Sequence, residues 1–273
     1  MVKIYYPDSK KNLGDIANPL LMSDIFKLQV LRSPHAGAEL LCVGSILGKV
    51  LTSRWNIPQR ISGKFKTNVR IWTSGFIDAP PPTARLCRKI DVFALRGALS
   101  RGYLESICKR KFDVPLGDGG LFIPDLVKNF PSPKYEIGII PHYKDLNSPA
   151  IDILLKKLPG ARVISPLGDV VQITGHIAEC GMILSSSLHG LIVADAMNIP
   201  NRHIVMGENV RGGDFKFRDY YSAYKMEHSF LNVDDVKGAE TLKEIKKNYI
   251  VSHDQVVEIK EKLHGAFPRD ITQ

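Results

Sequence analysis

The chain has 273 residues, of which 37 are Lys or Arg and 28 are Asp or Glu, so its formal net charge is +9. Hydrophobic residues make up 44% and charged residues 24%, a composition typical of globular proteins and too apolar for a disordered chain. The sequence has no apolar run of the ~18 residues that a membrane-spanning helix needs, no signal-peptide pattern and no C-x-x-C pair, so we expect a cytoplasmic protein.

The first half of the chain alternates short apolar runs with helical patterns. Most of these runs end in Gly, Ser, Asp or Arg. The predicted strands are Val2–Tyr6, Leu40–Val43, Val69–Thr73, Val92–Leu95 and Val114–Leu116. A strand followed by a helix, repeated along the chain, predicts parallel pairing and an α/β sheet.

The stretch Asn129–Lys134 contains two prolines and no periodicity, which is typical of a linker. The alternation then restarts and ends in a charged helical tail, Asp234–His264. The predicted strands are Glu136–Ile140, Arg162–Ser165, Met182–Leu184 and Arg202–Met206, and the predicted helices are Ile151–Leu158, Val170–Glu179 and Leu191–Met197. We therefore predict two Rossmann-like parallel-sheet domains that face a cleft, residues 1–130 and residues 131–273.

Parallel α/β sheets bind ligands beyond the carboxyl ends of their strands, so the residues at those ends are the site candidates. In the segment SSSLHG, Ser186 and Ser187 precede a predicted helix, and His189 lies in its first turn. Hydroxyl groups and the free N–H groups of a helix start can hold a phosphate. The alternative is that the serines only cap the helix and the histidine is an ordinary turn residue.

Other strand ends carry charged or small residues. Arg96 follows the run VFAL, where a guanidinium could hold a carboxylate or phosphate through two hydrogen bonds, or could form a structural salt bridge. His142 ends the run IGIIPHY and could serve as general acid, phosphate ligand or core residue. Ser45 and Gly75 end two further strands and are expected to line the site.

Two more segments contribute candidates. Asp15 and Asn18 follow the Gly turn of NLGDIAN, where they could bind sugar hydroxyls, although Asp15 is also an acceptable helix cap. Lys216 and Arg218 lie among aromatic residues in GGDFKFRDYY, a pattern that suits sugar or nucleic-acid stacking but also ordinary packing.

Together these motifs resemble the polysaccharide pyruvyl transferase family, particularly its exopolysaccharide-biosynthesis branch. The matching pieces occur in the expected order between about residues 3 and 225. They are NLGDIAN, VGSIL, IWTSGFI, ALRGALSRGYL, PLGDGGLFIP, IGIIPHY, SSSLHGLIVADAMNIPN and GDFKFRDYY.

The resemblance implies a fold similar to two-domain B-type glycosyltransferases. It also implies transfer of a pyruvyl group from phosphoenolpyruvate to a sugar of a polysaccharide or its lipid-linked precursor, which forms a pyruvate ketal and releases phosphate. The family's basic and histidine residues correspond to Arg96, His142 and His189. Many members have Arg directly before the Leu-His pair, whereas this chain has Ser187, so Arg96, Lys216 or Arg218 would supply that charge.

Phosphoenolpyruvate carries a carboxylate and a phosphate close together. We expect the helix start after Ser187 to hold one of these anions and Arg96 to hold the other. We hypothesise that His189 or His142 donates the proton to the donor methylene, and that Asp15 acts as a base or orients a hydroxyl. Replacing His189 by alanine should then nearly abolish turnover. No cofactor and no metal ligand set are predicted.

Two other classes of function remain open at this point. A nucleotide-sugar-dependent glycosyltransferase of similar fold would also have two Rossmann-like halves. A nucleic-acid-binding protein would explain the basic charge, but the sequence contains no known nucleic-acid-binding module and would leave the polar strand ends without a role. We therefore expect no nucleic-acid partner.

The positive charge is concentrated in residues 49–111, which hold 14 basic and three acidic residues. Within this stretch, Lys49 to Arg70 carries six basic residues and no acidic one, in a region predicted to be a loop. Each basic residue near an anionic membrane contributes about 1 kcal/mol of binding. We therefore predict that this loop contacts anionic lipid at the inner face of the membrane or a pyrophosphate-linked acceptor.

Overall fold

A computed structural model describes residues 1–8, 11–64, 68–207 and 213–272. The chain forms two five-stranded sheets and one small two-stranded ladder. Every strand pair within the two large sheets is parallel. The α/β class with Rossmann-like parallel sheets, predicted from the alternation of strands and helices, is therefore confirmed.

The first sheet is built from the first third of the chain. Across the sheet, its strands are β2 (Val30–Arg32), β1 (Val2–Tyr5), β3 (Leu40–Leu41), β5 (Val69–Ile71) and β7 (Ile90–Val92). The small antiparallel ladder pairs β4 (Leu51–Ser53) with β6 (Ala84–Leu86). The central strands are apolar because helices and loops cover both faces of the sheet, as is usual for parallel sheets.

Three α-helices accompany this sheet: α1 (Leu13–Leu20), α2 (Ile57–Lys64) and α3 (Ala98–Cys108). Helix α1 continues into a π-helical turn at Leu21–Ile25, and 3-10 turns occur at Leu47–Val50 and Gly119–Leu126. Asn12 caps α1 because its side-chain oxygen accepts a hydrogen bond from the backbone N–H of Asp15 at 3.3 Å. This cap fixes where the helix begins and thereby places Asp15 in its first turn.

The second sheet has the strand order β12 (Phe230–Asn232), β11 (Asn201–Val205), β10 (Ile183–Ser185), β8 (Gly138–Ile140) and β9 (Arg162–Val163). Its helices are α4 (Pro149–Lys157), α5 (Val170–Ala178), α6 (Leu188–Ala196), α7 (Phe215–Ser222), α8 (Ala239–Lys247) and α9 (His253–Gly265). Short 3-10 turns lie at Val233–Asp235 and Arg269–Thr272. The predicted helical tail is thus confirmed as α8 and α9.

Two local predictions were wrong. Residues 114–116 form no strand, since Pro115 cannot donate to a ladder and only Leu116 forms a bridge, to Leu95. The predicted loop between residues 53 and 68 contains helix α2. Residues 65–67 of this predicted loop lie outside the described part of the chain, as do residues 208–212 before α7.

The last helix contacts the first half of the chain. The indole Nε1 of Trp72 donates a hydrogen bond to the carbonyl oxygen of Leu263 in α9 at 2.9 Å. The rings of Phe26 and Phe267 stack with their centroids 3.9 Å apart. These contacts show that the first sheet's core includes side chains from the end of the chain. The division into domains at residues 1–130 and 131–273 stays a prediction.

Across the described ranges, every helix is too short or too polar to cross a bilayer.

Candidate functional site

A cavity of about 230 Å³ opens where the loops after the strands of both sheets meet. It is lined by six of the residues predicted from the sequence. These are Asp15, Ser45, His142, Ser187, His189 and Lys216. Helix α1 supplies Asp15 and the loop after β3 supplies Ser45. The loops after β8 and β10 supply His142 and Ser187, and helices α6 and α7 supply His189 and Lys216. The expectation that strand ends converge therefore locates a site built from distant parts of the chain.

Asp15 has an unusual acidity for a carboxylic acid. Burial raises its pKa to about 7, and a hydrogen bond from the side-chain amide of Asn12 to its Oδ2 partly opposes that effect. At neutral pH this carboxyl group is therefore present in both its protonated and its charged form. A group with a pKa near the working pH is suited to transferring a proton. Asn12 also lines the cavity and was not among the predicted site residues.

Asn18 lies one turn further along α1 and is buried behind the cavity. Its Nδ2 is 3.0 Å from the carbonyl oxygen of Gly14 and 3.2 Å from that of Val43, and its Oδ1 accepts a hydrogen bond from the N–H of Val43 at 3.0 Å. These bonds attach α1 to the end of β3. Asn18 therefore positions the helix that carries Asp15 and does not line the cavity.

Helix α6 begins at the cavity wall with free backbone donors. Ser187 precedes the helix, but its hydroxyl makes no capping hydrogen bond. The first N–H groups of any helix lack partners within the helix and carry a partial positive charge. In the described part of the chain, the N–H groups of Leu188 and His189 also have no other partner. An anion in the cavity could accept hydrogen bonds from them.

Ser186 stabilises the loop and does not line this cavity. Its hydroxyl accepts a hydrogen bond from the N–H of His142 at 2.7 Å and donates one to Oδ2 of the buried Asp145 at 3.1 Å. Ser186 thus joins the loop after β10 to the loop after β8 and fixes the backbone of His142.

The ring of His189 packs directly on Gly14 of α1. A Cβ atom at Gly14 would lie 2.0 Å from Cε1 of the ring, so only glycine allows this approach. The ring's Nε2 is buried and has no hydrogen-bond partner among the described residues. Burial, together with the positive charges of Lys216 and Arg96, lowers the pKa of His189 to about 3. The imidazole is therefore neutral at pH 7 and has an unused ring nitrogen.

His142 is also neutral at pH 7. Its pKa is lowered to about 4 by burial and by the positive charges of Lys216 and Lys144. Its Nδ1 accepts a hydrogen bond from the N–H of Lys144 at 3.3 Å, so the neutral ring carries its hydrogen on Nε2. The side chain can thus donate a hydrogen bond into the cavity without being charged.

Lys216 provides a buried positive charge in the cavity wall. It is 8% exposed, and burial and the nearby Arg96 lower its pKa to about 8. Its Nζ lies 5.1 Å from the ring centre of Phe217, but it forms no hydrogen bond or ion pair with any described residue. The Asp145 carboxylate lies near enough to oppose part of this lowering of the pKa but forms no ion pair with Lys216, so an anionic ligand would stabilise the buried ammonium.

Arg96 lies behind the cavity wall, where it is fully buried. Its Nε donates to Asp219 of α7 at 2.9 Å, Nη1 donates to the Ser45 hydroxyl at 2.7 Å, and Nη2 donates to the carbonyl oxygen of Phe76. Gly75 allows this packing, because a Cβ there would lie 2.3 Å from Cζ of the guanidinium. Arg96 and Gly75 therefore do not line the cavity but orient the Ser45 hydroxyl that does.

Arg218 is exposed on α7 and does not line the cavity, although it is only two residues from Lys216. Asp219, which sequence reasoning missed, is the counter-charge of Arg96 and also accepts hydrogen bonds from the N–H and the hydroxyl of Ser100. The two members of this ion pair are 123 residues apart, and no local pattern indicates that they meet.

Replacing Gly14 by alanine should displace the His189 ring, since the new methyl group would occupy its position. We expect turnover to fall as far as in His189→Ala, while the fold survives because alanine favours a helix by about 1 kcal/mol over glycine. Steady-state kinetics and thermal unfolding measure the two effects. Gly175→Ala in α5 is the matched control, since a Cβ there meets no atom within 4 Å. Full activity of the Gly14 variant would contradict this geometry.

Replacing Arg96 by methionine should destabilise the protein by about 3–5 kcal/mol, because Asp219 would remain buried without its counter-charge. Urea unfolding measures this loss. The double variant Arg96→Met, Asp219→Leu should recover part of it, since neither charge is then left unpaired. Lys262→Met, which breaks an exposed pair with Glu258, should leave the urea midpoint unchanged. A stable Arg96 variant would show that the pair is dispensable.

Among the residues that the structure describes, no three His, Cys, Asp or Glu side chains lie close enough together to hold a metal ion.

Two parallel sheets whose loops enclose acidic, basic and imidazole side chains define a Rossmann-like α/β protein. Residues 122–207 match the model of the family described as polysaccharide pyruvyl transferase. The resemblance predicted from the motifs is therefore confirmed, over a segment that includes IGIIPHY and SSSLHG.

The chain is also similar to a curated viral protein. It is 30% identical over 138 residues to an uncharacterized protein of Acanthamoeba polyphaga mimivirus. The alignment covers 49% of this chain and 48% of the relative, so the chain matches about half of that protein's length.

Proposed function

We propose that the protein transfers the pyruvyl group of phosphoenolpyruvate to two hydroxyls of a saccharide, forming a pyruvate ketal and releasing phosphate. The observation that carries the proposal is the buried Lys216 ammonium, which forms no ion pair or hydrogen bond with any described residue and lies in the same cavity as the free N–H groups of α6. These two features suit the two anionic groups of the donor.

We further propose that the two sheets form the halves of a fold similar to B-type glycosyltransferases, with the site between them. Support comes from the lining of the cavity, to which Asp15 and Ser45 contribute from the first sheet and His142 and His189 from the second. The buried ion pair between Arg96 and Asp219 connects the same two parts of the chain.

The pKa values favour Asp15 as the proton donor and leave the two histidines as neutral hydrogen-bonding groups. Asp15, whose pKa is about 7, donates a proton to the methylene carbon of the donor, and a cationic centre develops at the neighbouring carbon. His142, neutral at pH 7 with its hydrogen on Nε2, donates a hydrogen bond to an anionic group of the donor, and the neutral His189 uses its unpartnered Nε2 to hydrogen-bond and orient an attacking hydroxyl. This assignment differs from the roles expected from the sequence, where a histidine was the proton donor and Asp15 acted as a base or oriented a hydroxyl.

The reaction balances without a redox partner. The methylene carbon gains a proton and becomes a methyl group while the first sugar hydroxyl forms a C–O bond to the central carbon. The bond from that carbon to the phosphate oxygen then breaks, and the second hydroxyl forms the other C–O bond. One of the two hydroxyl protons replaces the proton given by Asp15, and the other leaves with phosphate.

The test uses the purified full chain with phosphoenolpyruvate and a panel of free and lipid-linked oligosaccharides. We expect phosphoenolpyruvate to raise the unfolding temperature, and phosphate release to accompany a gain of one pyruvylidene group in the mass of an acceptor. Stabilisation by a UDP- or GDP-sugar but not by phosphoenolpyruvate would contradict the proposal and indicate the glycosyltransferase alternative.

We also propose that the segment around α2 contacts anionic membrane, where a lipid-linked acceptor would be found. Trp55 is 71% exposed and Ile61 is 53% exposed, and the Arg54 guanidinium lies 4.2 Å from the Trp55 ring centre. Exposed tryptophan beside basic residues is typical of membrane interfaces. Arg70 is expected to contribute less to membrane binding, because its guanidinium forms a salt bridge with the Asp270 carboxylate at 3.1 Å.

The wild-type protein should sediment with vesicles that contain phosphatidylglycerol and not with phosphatidylcholine vesicles. Trp55→Ser should weaken this binding several-fold, since the indole is the largest apolar group in the segment. Phe130→Ser, which removes another exposed aromatic ring, should have no effect. Equal binding of wild type to both kinds of vesicle would refute the membrane contact.

A further inference from the structure

A second, larger cavity adjoins the one that contains Lys216. Its volume is about 600 Å³, and it lies beside the β4–β6 ladder in the first half of the chain. The two cavities share four lining residues: Pro7, Ser45, Ile46 and Ile77. A ligand in the larger cavity could therefore present a group to the smaller one across a common wall.

The lining of the larger cavity combines flat apolar surfaces with hydroxyl groups. Tyr5, Phe76 and the two prolines Pro80 and Pro81 provide apolar surface. Thr83 and Ser53 provide hydroxyls. Sugars have apolar C–H faces and a rim of hydroxyls, so they bind to surfaces that offer both ring stacking and hydrogen bonds. The volume falls within the range of about 300–1,000 Å³ that suits ligands of drug size, which includes a disaccharide.

Ser45 lies where the two cavities meet. Its Oγ accepts a hydrogen bond from Nη1 of Arg96 at 2.7 Å, which leaves the hydroxyl hydrogen free to be donated. The buried Arg96 guanidinium is itself fixed by Asp219, so the position of the Ser45 hydroxyl is defined. A sugar hydroxyl that accepted this hydrogen bond would face the cavity that contains Asp15 and Lys216.

We infer that this second cavity binds the acceptor saccharide, with its terminal sugar directed past Ser45 toward the donor. The inference rests on the proposed function for the identity of the reaction, but saccharide binding at this position can be measured without it. The site would hold at least two sugar units, the outer ones against the β4–β6 ladder.

Gly48 offers a way to fill the cavity without disturbing the fold. It lines only the larger of the two cavities, and a Cβ at this position would meet no atom within 4 Å. Its φ angle is not positive, so a larger residue is not strained. Gly48→Trp should therefore block the cavity. Gly102→Trp is the matched control, because Gly102 is also exposed and unobstructed but lies on α3 outside the cavities described here.

The experiment measures binding of lactose, cellobiose and diacetylchitobiose by saturation-transfer NMR, and binding of phosphoenolpyruvate by calorimetry. We expect at least one disaccharide to bind the wild type and Gly102→Trp with a millimolar Kd, and Gly48→Trp to bind it at least about tenfold more weakly. All three proteins should bind phosphoenolpyruvate equally. If Gly48→Trp fails to fold, Thr83→Trp, which fills the same cavity, takes its place.

Either of two results would overturn the inference: the wild type binds none of the three disaccharides, or Gly48→Trp binds them as tightly as the wild type does. Lys216→Met should bind phosphoenolpyruvate more weakly and the disaccharide as tightly as the wild type, the reverse of Gly48→Trp. If no protein binds phosphoenolpyruvate but Gly48→Trp still loses the disaccharide, the proposed donor is wrong while the saccharide site stands.

Discussion

Replacing Asp15 by asparagine should lower turnover by about 10²–10⁴-fold, the usual contribution of general acid–base catalysis. Asparagine has nearly the same shape and can still accept the hydrogen bond from Asn12, so the start of α1 should be preserved. Binding of phosphoenolpyruvate should stay the same or tighten slightly, because part of a negative charge is removed. Single-turnover kinetics separates this loss of chemistry from any change in binding.

The pH dependence follows from the raised pKa of Asp15. Its protonated form, which the proposed mechanism requires, predominates below pH 7, so turnover should decline as the pH rises above about 7. This decline should disappear in Asp15→Asn. Asp24→Asn, which changes an exposed carboxylate at the end of the same helical segment, should behave like the wild type. A wild-type rate in Asp15→Asn would return the role of proton donor to a histidine.

Replacing Lys216 by methionine should weaken phosphoenolpyruvate binding by about 10- to 100-fold, since a hydrogen bond to a charged group contributes about 1.5–3 kcal/mol. Methionine has a similar length and suits the buried environment beside Phe217, so the fold should be retained or stabilised. Calorimetric titration with phosphoenolpyruvate measures the change. Arg218→Met removes an exposed positive charge from the same helix and should leave the affinity almost unchanged.

Lys216 also gives donor binding its own pH dependence. Its pKa is lowered to about 8, so the ammonium is charged below pH 8 and becomes neutral above it. Affinity for the anionic donor should therefore fall as the pH rises above about 8 in the wild type and should not show this fall in Lys216→Met. An identical pH profile in both proteins would show that Lys216 does not contact the donor.

The fold was predictable from the sequence because parallel strands buried on both faces appear as apolar runs that alternate with helices. Strand limits were less predictable. The run Val92–Leu95 predicts a strand, but the strand ends at Val92, although residues 93 to 96 still form backbone hydrogen bonds with residues 71 to 74. The edge strand Val30–Arg32 was not predicted from the sequence, since its side chains are largely exposed and do not form a buried apolar run.

The site was predicted in part. The rule that ligands bind at the carboxyl ends of parallel strands brings Ser45, His142 and His189 to one cavity. The rule does not say which way a side chain points, and Arg96 turns inward to Asp219, a partner 123 residues away in the sequence. The protonation states of Asp15 and His189 depend on burial, which no local pattern encodes.

The hydrogen bond from Trp72 to Leu263 joins residues 191 positions apart in the sequence. The ribosome synthesises the chain from the N-terminus, so the residues of the first sheet emerge long before helix α9, which contacts Trp72, has been made. During that interval Trp72 and Phe26 lack their final neighbours and expose apolar surface. We therefore expect the first half to reach its native core only after synthesis of α9, and a fragment that ends before residue 253 to aggregate when expressed alone.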